Sequence, residues 1–366
     1  MTRFRIRDLG SHNGTKVNGI RITSVPIAHG DVIRAGDSLL VYCEQVAQRH
    51  SNLFVRRAAR SDLHVLILGE SGVGKEVMAR KIHDASGRTG PFVAINCTAV
   101  PRDLLVSELC GHVRGAFSGA QQARDGLFLS ARGGTLMLDE IGDMALDLQP
   151  VLLRILETRT VRPVGGDREL PVDVRVIAAT NSALRDVVET GKFRRDLYAR
   201  LAQLVTEVQP LRARREEILD LSCEFGSKGK VNFAMDADLA EALVLWDWPF
   251  NVRELRSLIK AMQVSHEDRS TLHLDDLSEL RTDIACAVPS SRAPVETSVS
   301  SGDTLADRSR LVEALRSVDG NVAALARKLG TSRSHVYRWL KRWDIPAQEG
   351  SATADTGSNF QSGLAK

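Results

Sequence analysis

The feature that most constrains this chain is a glycine-rich loop that follows a short apolar run. Val65-Leu66-Ile67-Leu68 leads directly into Gly69-Glu70-Ser71-Gly72-Val73-Gly74-Lys75-Glu76. The pattern predicts a buried strand, a tight turn and a helix that begins near Lys75. Such a turn points several backbone N–H groups and a helix N-terminus at one anionic centre, within reach of the lysine. The loop therefore predicts phosphate binding, although a glycine turn with only a structural role has the same local pattern.

A second apolar run, Gly134-Thr135-Leu136-Met137-Leu138, ends in Asp139 and Glu140. Ligands of an open α/β sheet bind at the carboxyl ends of its strands. We predict that Asp139 holds Mg²⁺ directly or through water, and that Glu140 polarises an attacking water as a general base. The role of Asp139 matters because Glu76 stands where the general motif has a Ser or Thr hydroxyl for the metal. A plain strand end with a solvated acidic turn is the alternative.

Bulk composition excludes several classes of protein. The 366 residues are 43% apolar and 26% charged, as in an ordinary folded protein of two or three domains. No apolar stretch approaches the roughly 20 residues that span a membrane, and the first residues lack the apolar core of a signal peptide. The five cysteines form no Cys-x-x-Cys pair, so reduced thiols are expected rather than disulfides or a zinc site. We therefore expect a cytoplasmic protein with no membrane partner.

Residue patterns divide the chain into six segments. Residues 1–46 show short alternating runs between turn residues, which indicates a partial all-β segment. Residues 47–212 indicate an α/β segment with a parallel sheet, whose strands are expected at 64–68, 92–96, 135–139, 174–179 and 203–208. The other segments are helical at 213–283, a Ser- and Pro-rich linker at 284–303, helical at 304–345, and small, polar and disordered at 346–366.

Further motifs stand in order along the chain. They are Pro91-Phe92-Val93-Ala94-Ile95-Asn96-Cys97, Gly115-Ala116-Phe117-Ser118-Gly119-Ala120, Ala178-Ala179-Thr180-Asn181, Phe193-Arg194-Arg195-Asp196-Leu197-Tyr198-Ala199-Arg200-Leu201 and Trp248-Pro249-Phe250-Asn251-Val252-Arg253-Glu254-Leu255. From about residue 47 to 283 the chain thereby resembles the bacterial enhancer-binding proteins, the AAA+ activators of sigma-54 RNA polymerase. The resemblance makes Glu76 a family trait, and it implies an AAA+ P-loop parallel sheet with a helical lid.

The resemblance implies a role for each matching residue. The loop from Gly69 to Glu76 would bind ATP with Mg²⁺, and Arg253 resembles the lid residue that senses the nucleotide. Asn181 resembles the polar sensor of the γ-phosphate. Asn96 resembles the asparagine that holds the catalytic Glu140 until the γ-phosphate draws it away. Asn181 could instead only cap a turn.

Arg194 and Arg200 resemble the arginine fingers that reach the nucleotide of a neighbouring subunit. An arginine supplied in trans stabilises charge on the transferred phosphoryl group. If these residues act in trans, the active unit is a ring, and the resemblance implies a hexamer. Solvated arginines on a helix face are the alternative.

The segment from Gly115 to Ala120 places one aromatic residue among small residues, with no core-forming pattern. An aromatic on a mobile loop is suited to anchor a partner, and in the family this loop contacts sigma-54. Ser118 replaces the family's Thr, and Cys110 and Val113 replace an aromatic and an acid upstream of the loop. Two further departures are Ala199, where Tyr is common, and Phe250, where Gly is usual. These changes leave open whether the loop engages sigma-54 efficiently.

Residues 304–345 resemble a Fis-type helix-turn-helix. Six basic residues and no acidic ones lie between Arg327 and Trp343, and Val336, Leu340 and Trp343 fall on one helix face. The opposite face of that recognition helix is expected to contact double-stranded enhancer DNA, which would associate the protein with the nucleoid. The expected contact residues are Arg333, Ser334, His335, Tyr337 and Arg338. A helical hairpin for dimerisation is the alternative.

Residues 1–46 resemble the second half of a forkhead-associated (FHA) domain. The resemblance rests on Asp8-Leu9-Gly10-Ser11-His12-Asn13-Gly14-Thr15, Val17-Asn18-Gly19 and His29-Gly30-Asp31-Val32-Ile33. Domains of this type bind phosphothreonine peptides through residues of their first half. We therefore expect that this chain does not bind phosphothreonine peptide.

Three functions are compatible with these patterns. The first is an ATP-hydrolysing activator that binds enhancer DNA and remodels the sigma-54 closed complex. The second is a DNA-binding repressor or regulator whose ATPase core is uncoupled from sigma-54, which the departures at Ser118 and Val113 would explain. The third, a small-molecule kinase, is disfavoured because it explains neither the arginine pair nor the helix-turn-helix.

Overall fold

The computed structural model describes residues 4–43, 47–181, 184–227, 234–266 and 271–281, together with scattered positions between 312 and 340. The strands of this part are β1 (Arg5–Arg7), β2 (Thr15–Val17), β3 (Ile20–Ile22), β4 (Ser24–Pro26), β5 (Asp31–Ala35), β6 (Ser38–Tyr42), β7 (Val65–Leu68), β8 (Phe92–Asn96), β9 (Gly111–His112), β10 (Arg124–Asp125), β11 (Thr135–Asp139), β12 (Thr160–Val161), β13 (Leu170–Pro171), β14 (Arg175–Thr180), β15 (Leu204–Glu207), β16 (Ala234–Met235) and β17 (Thr271–Leu272). The α-helices are α1 (Ala47–Ala59), α2 (Lys75–Asp84), α3 (Arg102–Cys110), α4 (Leu127–Ser130), α5 (Gln149–Thr158), α6 (Leu184–Glu189), α7 (Arg195–Leu201), α8 (Glu216–Ser227), α9 (Ala237–Leu245), α10 (Asn251–Ser265) and α11 (Leu274–Leu280). Short 3-10 turns lie at Ile141–Asp143 and Leu211–Ala213.

The chain forms two compact units, and the larger one comprises residues 43–234 and 247–271. Its centre is a five-stranded sheet in the order β15-β7-β14-β11-β8, and every neighbouring pair is parallel. Alternate residues of the strands enter two separate cores. Leu66 and Leu136 pack in the core that includes α3, α5 and α7, whereas Ile67 and Met137 pack in the core that includes α1 and α2. Burial on both faces explains why the interior strands β7, β11 and β14 are mostly apolar.

The five strands expected from the sequence are confirmed, each with bounds within one residue of the prediction. The predicted α/β fold class is confirmed with them. The pairs β9–β10 and β12–β13 were not expected, because each of these strands has only two residues. Both pairs lie beside the segment from Gly115 to Ala120, and they shape its surroundings.

The smaller unit comprises residues 1–42, 235–246 and 272–366. We call its residues 4–42 the β-module: an antiparallel sheet in the order β3-β2-β5-β6, with β1 paired to β4. Val17, Ile22, Val25 and Ile33 form the core of this module. A buried amide–carboxylate contact crosses it, because Asn18 Nδ2 donates to Asp31 Oδ1 over 2.8 Å. The partial all-β segment predicted for residues 1–46 is thus a sheet, with β2 and β4 as strands that the alternation did not reveal.

Two further observations concern the rest of the chain. Leu315, Leu325, Val336 and Leu340 are buried, as the predicted apolar helix faces of the C-terminal segment require. The expected DNA contacts Arg333, Ser334, His335, Tyr337 and Arg338, the linker at 284–303 and the tail at 346–366 lie outside the described residues. Among the helices that are described, none has both the length and the apolar character needed to cross a bilayer.

Candidate functional site

The glycine-rich loop connects β7, an interior strand of the sheet, to helix α2. Its backbone turns through positive φ angles at Gly69 (147°), Gly72 (74°) and Gly74 (106°), which only glycine adopts at low cost. Gly74 precedes the first turn of α2 and makes no side-chain cap. The first N–H groups of that helix therefore point into the loop, as the predicted phosphate site requires.

Lys75 is held inside this loop. Its side chain is only 6% exposed, and Nζ donates to the carbonyl oxygens of Gly69 (2.9 Å) and Glu70 (3.4 Å). A buried ammonium group next to several unfilled N–H groups concentrates positive charge at one point. Glu76, by contrast, is exposed and lies 3.6 Å from Arg80 on the outer face of α2. The loop geometry thus fits an anionic ligand that approaches Lys75, with Glu76 turned away.

Two acidic residues meet this lysine at the end of β11. Glu140 Oε1 lies 3.7 Å from Lys75 Nζ, and Glu140 Oε2 accepts a hydrogen bond from the backbone N–H of Asn181 over 3.1 Å. The N–H of Glu140 in turn donates to Asp139 Oδ1 over 3.1 Å. Glu140 adopts a left-handed backbone with φ of 52°, which directs its carboxylate across the strand ends. Lys75, Asp139, Glu140 and the backbone N–H of Asn181 are therefore brought together at the ends of the strands.

The predicted partner of Asn96 is different in the structure. Asn96 Oδ1 accepts from the N–H (2.8 Å) and the hydroxyl (2.7 Å) of Thr98, within its own turn. Asn96 is still the neighbour of Asp139 across the β8–β11 pair. Next to it, burial raises the pKa of the Cys97 thiol to about 12, with help from Asp139 and Glu140. The thiol is therefore neutral and adds no charge to the strand end.

The donor set at this end of the sheet fits a hard, incompletely held cation. Mg²⁺ in nucleotide sites takes one or two carboxylates and completes its shell with phosphate oxygens and water. Asp139 and Glu140 provide such carboxylates. In the described part of the chain, this end of the sheet included, no group of three or more His, Cys, Asp or Glu residues could enclose a metal ion. The site therefore suits Mg²⁺ that arrives with a nucleotide better than a resident metal.

A clasp between Glu70, Arg212 and Asn251 connects the loop to the segment that follows the sheet. Glu70 accepts two hydrogen bonds from Arg212, at 2.8 Å and 2.5 Å. Asn251 Nδ2 donates to Glu70 Oε2 and to the carbonyl of Ser71, both over 3.1 Å, and its Oδ1 accepts from the N–H of Leu211 over 2.8 Å. These bonds, with that from Arg212 as the largest effect, lower the pKa of Glu70. The sequence did not predict Arg212, although three arginines in the run 212–215 mark the position.

The lid elbow accommodates Phe250, where the family usually has Gly. Phe250 has an ordinary φ of −105°, and the left-handed positions are Trp248 (50°) and Asn251 (54°). Phe250 therefore needs no glycine-like backbone. The predicted lid sensor Arg253 reaches the loop, since its Nη1 donates to Ser71 Oγ over 3.2 Å and its backbone N–H donates to the carbonyl of Gly72 over 3.3 Å.

The two predicted arginine fingers have different surroundings. Arg194 is exposed and makes two hydrogen bonds to Asp196, at 3.0 Å and 2.7 Å. Arg200 lies just before β15, at the edge of the sheet where the strands begin, whereas Lys75 follows the end of β7. Arg200 Nη2 donates to the carbonyl of Leu156 over 3.1 Å, and its Nε is buried without a hydrogen-bond partner.

Arg200 lines a cavity of about 520 Å³. Arg88, Arg159 and His64 share this cavity. Burial lowers the pKa of His64 to about 4, and the positive charges of Arg200 and Arg159 contribute. His64 Nδ1 accepts a hydrogen bond from the N–H of Val176 over 3.3 Å, as a neutral imidazole does. Asp62 and Asp173, which pair with Arg88, also line the cavity, so its walls carry both charges, with Arg159 and Arg200 adding positive charge.

The segment from Gly115 to Ala120, which we call the client loop, packs against the connection between β12 and β13. A Cβ atom at Gly165 would lie 2.9 Å from Ala116 Cβ and 3.2 Å from Val113 Cγ2, so the absence of a side chain there permits the contact. The ring of Phe117 meets the ring of His112 edge-on, with centroids 5.1 Å apart. Ser107 Oγ lies 2.8 Å from His112 Nδ1 and fixes that ring.

Two consequences for the client loop follow from these contacts. Phe117 is 38% exposed, so the aromatic face is available while its edge is supported. Val113, which replaces an acid of the family pattern, packs on the Gly165–Gly166 pair. The departure at this position therefore has an apolar packing role, which sequence reasoning missed because the two segments lie about 50 residues apart.

Comparison with known proteins agrees with this geometry. The family described as the Sigma-54 interaction domain matches residues 41–207, and the AAA+ ATPase lid domain matches residues 212–287. The FHA domain matches residues 1–36, and a Homeodomain-like domain matches residues 303–352. These four matches cover the segments whose motifs carry the resemblance.

Individual relatives support the same assignment. The chain is 38% identical over 323 residues to the regulatory protein AtoC of Escherichia coli, covering 86% of this chain and 68% of AtoC. It is 40% identical over 301 residues to the acetoin dehydrogenase operon transcriptional activator AcoR of Bacillus subtilis, covering 81% of this chain but only 49% of AcoR. The chain thus spans about half the length of some curated relatives.

A solved structure has the same fold. The crystal structure of NtrX from Brucella abortus in complex with ADP matches with a TM-score of 0.61 and 28% identity, covering 84% of this chain and 70% of that chain. The match in sequence, in motif order and in fold leads to one conclusion. The chain belongs to the family of sigma-54-dependent transcriptional activators, with an AAA+ core, a lid, an FHA segment and a helix-turn-helix.

Proposed function

We propose that the chain binds enhancer DNA and uses ATP hydrolysis in an oligomeric AAA+ ring to remodel the sigma-54 RNA polymerase closed complex. The observation that carries the proposal is the convergence of Lys75, Glu140 and Asn181 beside an open phosphate loop. Glu140 lies 3.7 Å from Lys75 and accepts a hydrogen bond from the backbone of Asn181, and a lysine, a general base and a sensor grouped in this way are parts that phosphoryl transfer to water needs. Solved structures of NtrX in complex with ADP and with ATP support nucleotide binding by the same fold.

Each residue of the site has a defined task in this proposal. The N–H groups from Gly69 to Glu76 and the ammonium of Lys75 would bind the phosphates. Asp139 would hold Mg²⁺, which neutralises charge between the phosphates. Glu140 would orient and deprotonate the attacking water once it leaves Lys75, and Asn96, which pairs with Asp139 across the β8–β11 pair, would hold the Glu140 carboxylate until the γ-phosphate draws it away. Asn181 and Arg253 would respond to the phosphates from the sheet and from the lid.

The arginines support action in trans. Arg200 lies near the beginning of β15, whereas Lys75 follows the end of β7, so it would serve the nucleotide of another subunit rather than its own. Arg194 would first exchange its bond to Asp196 for the phosphate. A ring of subunits, with the hexamer as the expected form, places these residues against each neighbouring P-loop.

The client loop and the helix-turn-helix would connect the ATPase core to its partners. Phe117, exposed on the client loop, would contact sigma-54, and the loop would move with the β12–β13 connection against which it packs. The helix-turn-helix would hold the ring at enhancer DNA through Arg333, Ser334, His335, Tyr337 and Arg338. Neutralising phosphates with these basic residues would make binding strongly dependent on salt.

A second function is a DNA-bound regulator whose ATPase is uncoupled from sigma-54. The observation that favours it is the apolar seat of Val113 on the Gly165–Gly166 pair, which gives the client loop a base different from the family pattern. This packing would hold the base of the client loop in place, and it would limit the movement of Phe117 while ATP hydrolysis continues.

One experiment separates the two functions. We would measure ATPase activity of the purified full chain beside capture of sigma-54 in the presence of ATP and of a transition-state analogue, with Lys75→Ala as the control. The first function requires hydrolysis that Lys75→Ala abolishes and capture that depends on the analogue. Hydrolysis without capture would favour the uncoupled regulator. An activity that Lys75→Ala does not reduce would refute both.

A further inference from the structure

Helix α9 of the lid is buried on every side. All residues from Leu239 to Leu245 are buried, and they include one acidic residue, Glu241. A helix of one layer on a solvent-exposed lid normally buries only one stripe. The described elements that touch α9 within its compact unit are α11, β5 and β6. One side of α9 is therefore covered by α11, and another side is covered by strands β5 and β6 of the β-module.

Strand β5 has a second buried face that the core of its own module does not explain. Ile33 points into the module core, and the period of a strand sends Val32 and Arg34 to the other face. Val32 is 1% exposed, although it is not part of the module core. Its cross-strand neighbour Val41, on β6, lies on the same face. This β5–β6 face is apolar and contacts α9.

An ion pair fixes the register of this contact. Arg34 Nη1 donates to Glu241 Oε2 over 2.7 Å and also to Asp238, one turn earlier on α9. The Glu241 side chain is 1% exposed and that of Arg34 is 13% exposed. A buried carboxylate without a partner is strongly unfavourable, whereas the paired and hydrogen-bonded form is tolerated. Arg34 is the basic residue that neutralises Glu241 in this arrangement.

We propose that the β-module is a structural partner of the lid: its β5–β6 face docks on α9 of the same chain, and Arg34 sets the position by pairing with Glu241 and Asp238. The matched lid region, residues 212–287, is accordingly divided, with α8 and α10 in the larger compact unit and α9 and α11 in the unit of the β-module. This role needs no phosphopeptide and does not depend on ATP hydrolysis.

Hydrogen exchange on the full chain tests the docking. In Arg34→Glu, three carboxylates would meet at the contact, so we expect amides of α9 to exchange at least tenfold faster than in the wild type. Amides of β7 and of the β2–β5 pair should keep their protection, which shows that both units remain folded. Arg7→Glu, an exposed charge reversal on β1, is the control and should leave α9 unchanged. Unchanged protection of α9 in Arg34→Glu would overturn the proposal.

A thermal double-mutant cycle tests the ion pair itself. Arg34→Met leaves Glu241 buried and unpaired, so it should lower the unfolding midpoint of the full chain by several degrees. In the Glu241→Gln background, where no buried charge remains to be paired, the same change should cost less than half of that shift. Equal shifts in the two backgrounds would show that Arg34 and Glu241 are not coupled, and the proposal would fail.

Discussion

Several non-glycine residues of the described chain hold a left-handed backbone: Asn18, Glu140, Arg159, Trp248 and Asn251. Such conformations cost on the order of 1 kcal/mol or more and persist where the surroundings enforce them. Glu140 is enforced by the N–H of Asn181 and by Lys75, and Asn251 by its bonds to Glu70, Ser71 and Leu211. At the residue scale, the backbone strain of the site is therefore concentrated where the loop, the base and the lid meet.

Asn251 provides a test of whether its bonds or its φ angle matter more. Asn251→Ala removes the side-chain amide and should lower the free energy of unfolding by roughly 2–4 kcal/mol, because Glu70 and the N–H of Leu211 lose buried partners. Asn251→Gly relieves the φ strain but removes the same bonds, so it should also be destabilised. Urea unfolding measures both variants. A glycine variant as stable as the wild type would show that the backbone angle alone selects this residue.

His64 should make stability depend on pH. Its pKa of about 4 in the folded chain lies below the ordinary value of 6.5, so between these values the unfolded chain binds more protons. The contribution of His64 is therefore complete above pH 6.5 and is lost as the pH falls towards 4, by about 2 kcal/mol between pH 7 and pH 5. His64→Asn keeps an acceptor for the N–H of Val176 and does not titrate. Urea unfolding at the two pH values should show a smaller loss in this variant, and equal losses would contradict the assignment.

At the scale of elements, the phosphate loop and the lid elbow are packed without room for a side chain. A Cβ atom at Gly72 would lie 2.3 Å from the carbonyl oxygen of Phe250. The loop can therefore respond to the lid directly, since any shift of the elbow displaces the backbone that surrounds the phosphate site.

A pair of glycine variants separates this crowding from backbone strain. Gly72 and Gly87 have similar φ angles of 74° and 72°, but a Cβ at Gly87 would meet nothing within 4 Å. Gly87→Ala should cost only the left-handed penalty, about 1–2 kcal/mol. Gly72→Ala should cost more and should also weaken ATP binding at least tenfold, measured by calorimetry. Equal stability losses with unchanged ATP affinity would contradict the proposed coupling between loop and elbow.

The sequence predicts elements according to how much local pattern each contains. Strands β7, β8 and β14 of the parallel sheet carry four consecutive apolar residues, β11 carries three and β15 carries two, and their positions were predicted well. Strands such as β12 and β13 carry two residues and no readable period. The clasp between Glu70 and Arg212 joins residues 142 positions apart, and no local pattern encodes such a partner. Similarly, the sequence shows that Val113 departs from the family pattern, but only the structure shows that its side chain packs against Gly165.

At the scale of the whole molecule, Lys75 and Arg200 lie at opposite ends of the parallel strands. This separation predicts complementation between variants of the two residues. Lys75→Ala should lose ATPase activity because its own site is damaged, and Arg200→Ala because its neighbour's site is. If the chain forms the proposed ring, mixed rings would contain interfaces at which an intact P-loop meets an intact Arg200, so mixing should restore a measurable fraction of hydrolysis.

The control for this mixing experiment uses two lesions of the same site. Lys75→Ala and Glu140→Gln both act on the P-loop side, so every subunit in their mixture has a damaged site and no activity should return. No recovery in the Lys75→Ala and Arg200→Ala mixture would place Arg200 in the site of its own chain. Recovery in the control mixture would contradict the assignment of Lys75 and Glu140 to the same site.

The strand order has a consequence for how the protein is made. Strand β7, which presents the phosphate loop, lies inside the sheet, yet its two neighbours are β14 and β15, which follow it in the chain by more than 100 residues. During synthesis the ribosome must therefore release the chain beyond Thr180 before β7 can pair with β14, and beyond Glu207 before it can pair on both sides. A nascent chain that stops before β14 leaves the apolar residues of β7 without a neighbouring strand. A chaperone, rather than a nucleotide, would have to cover these residues.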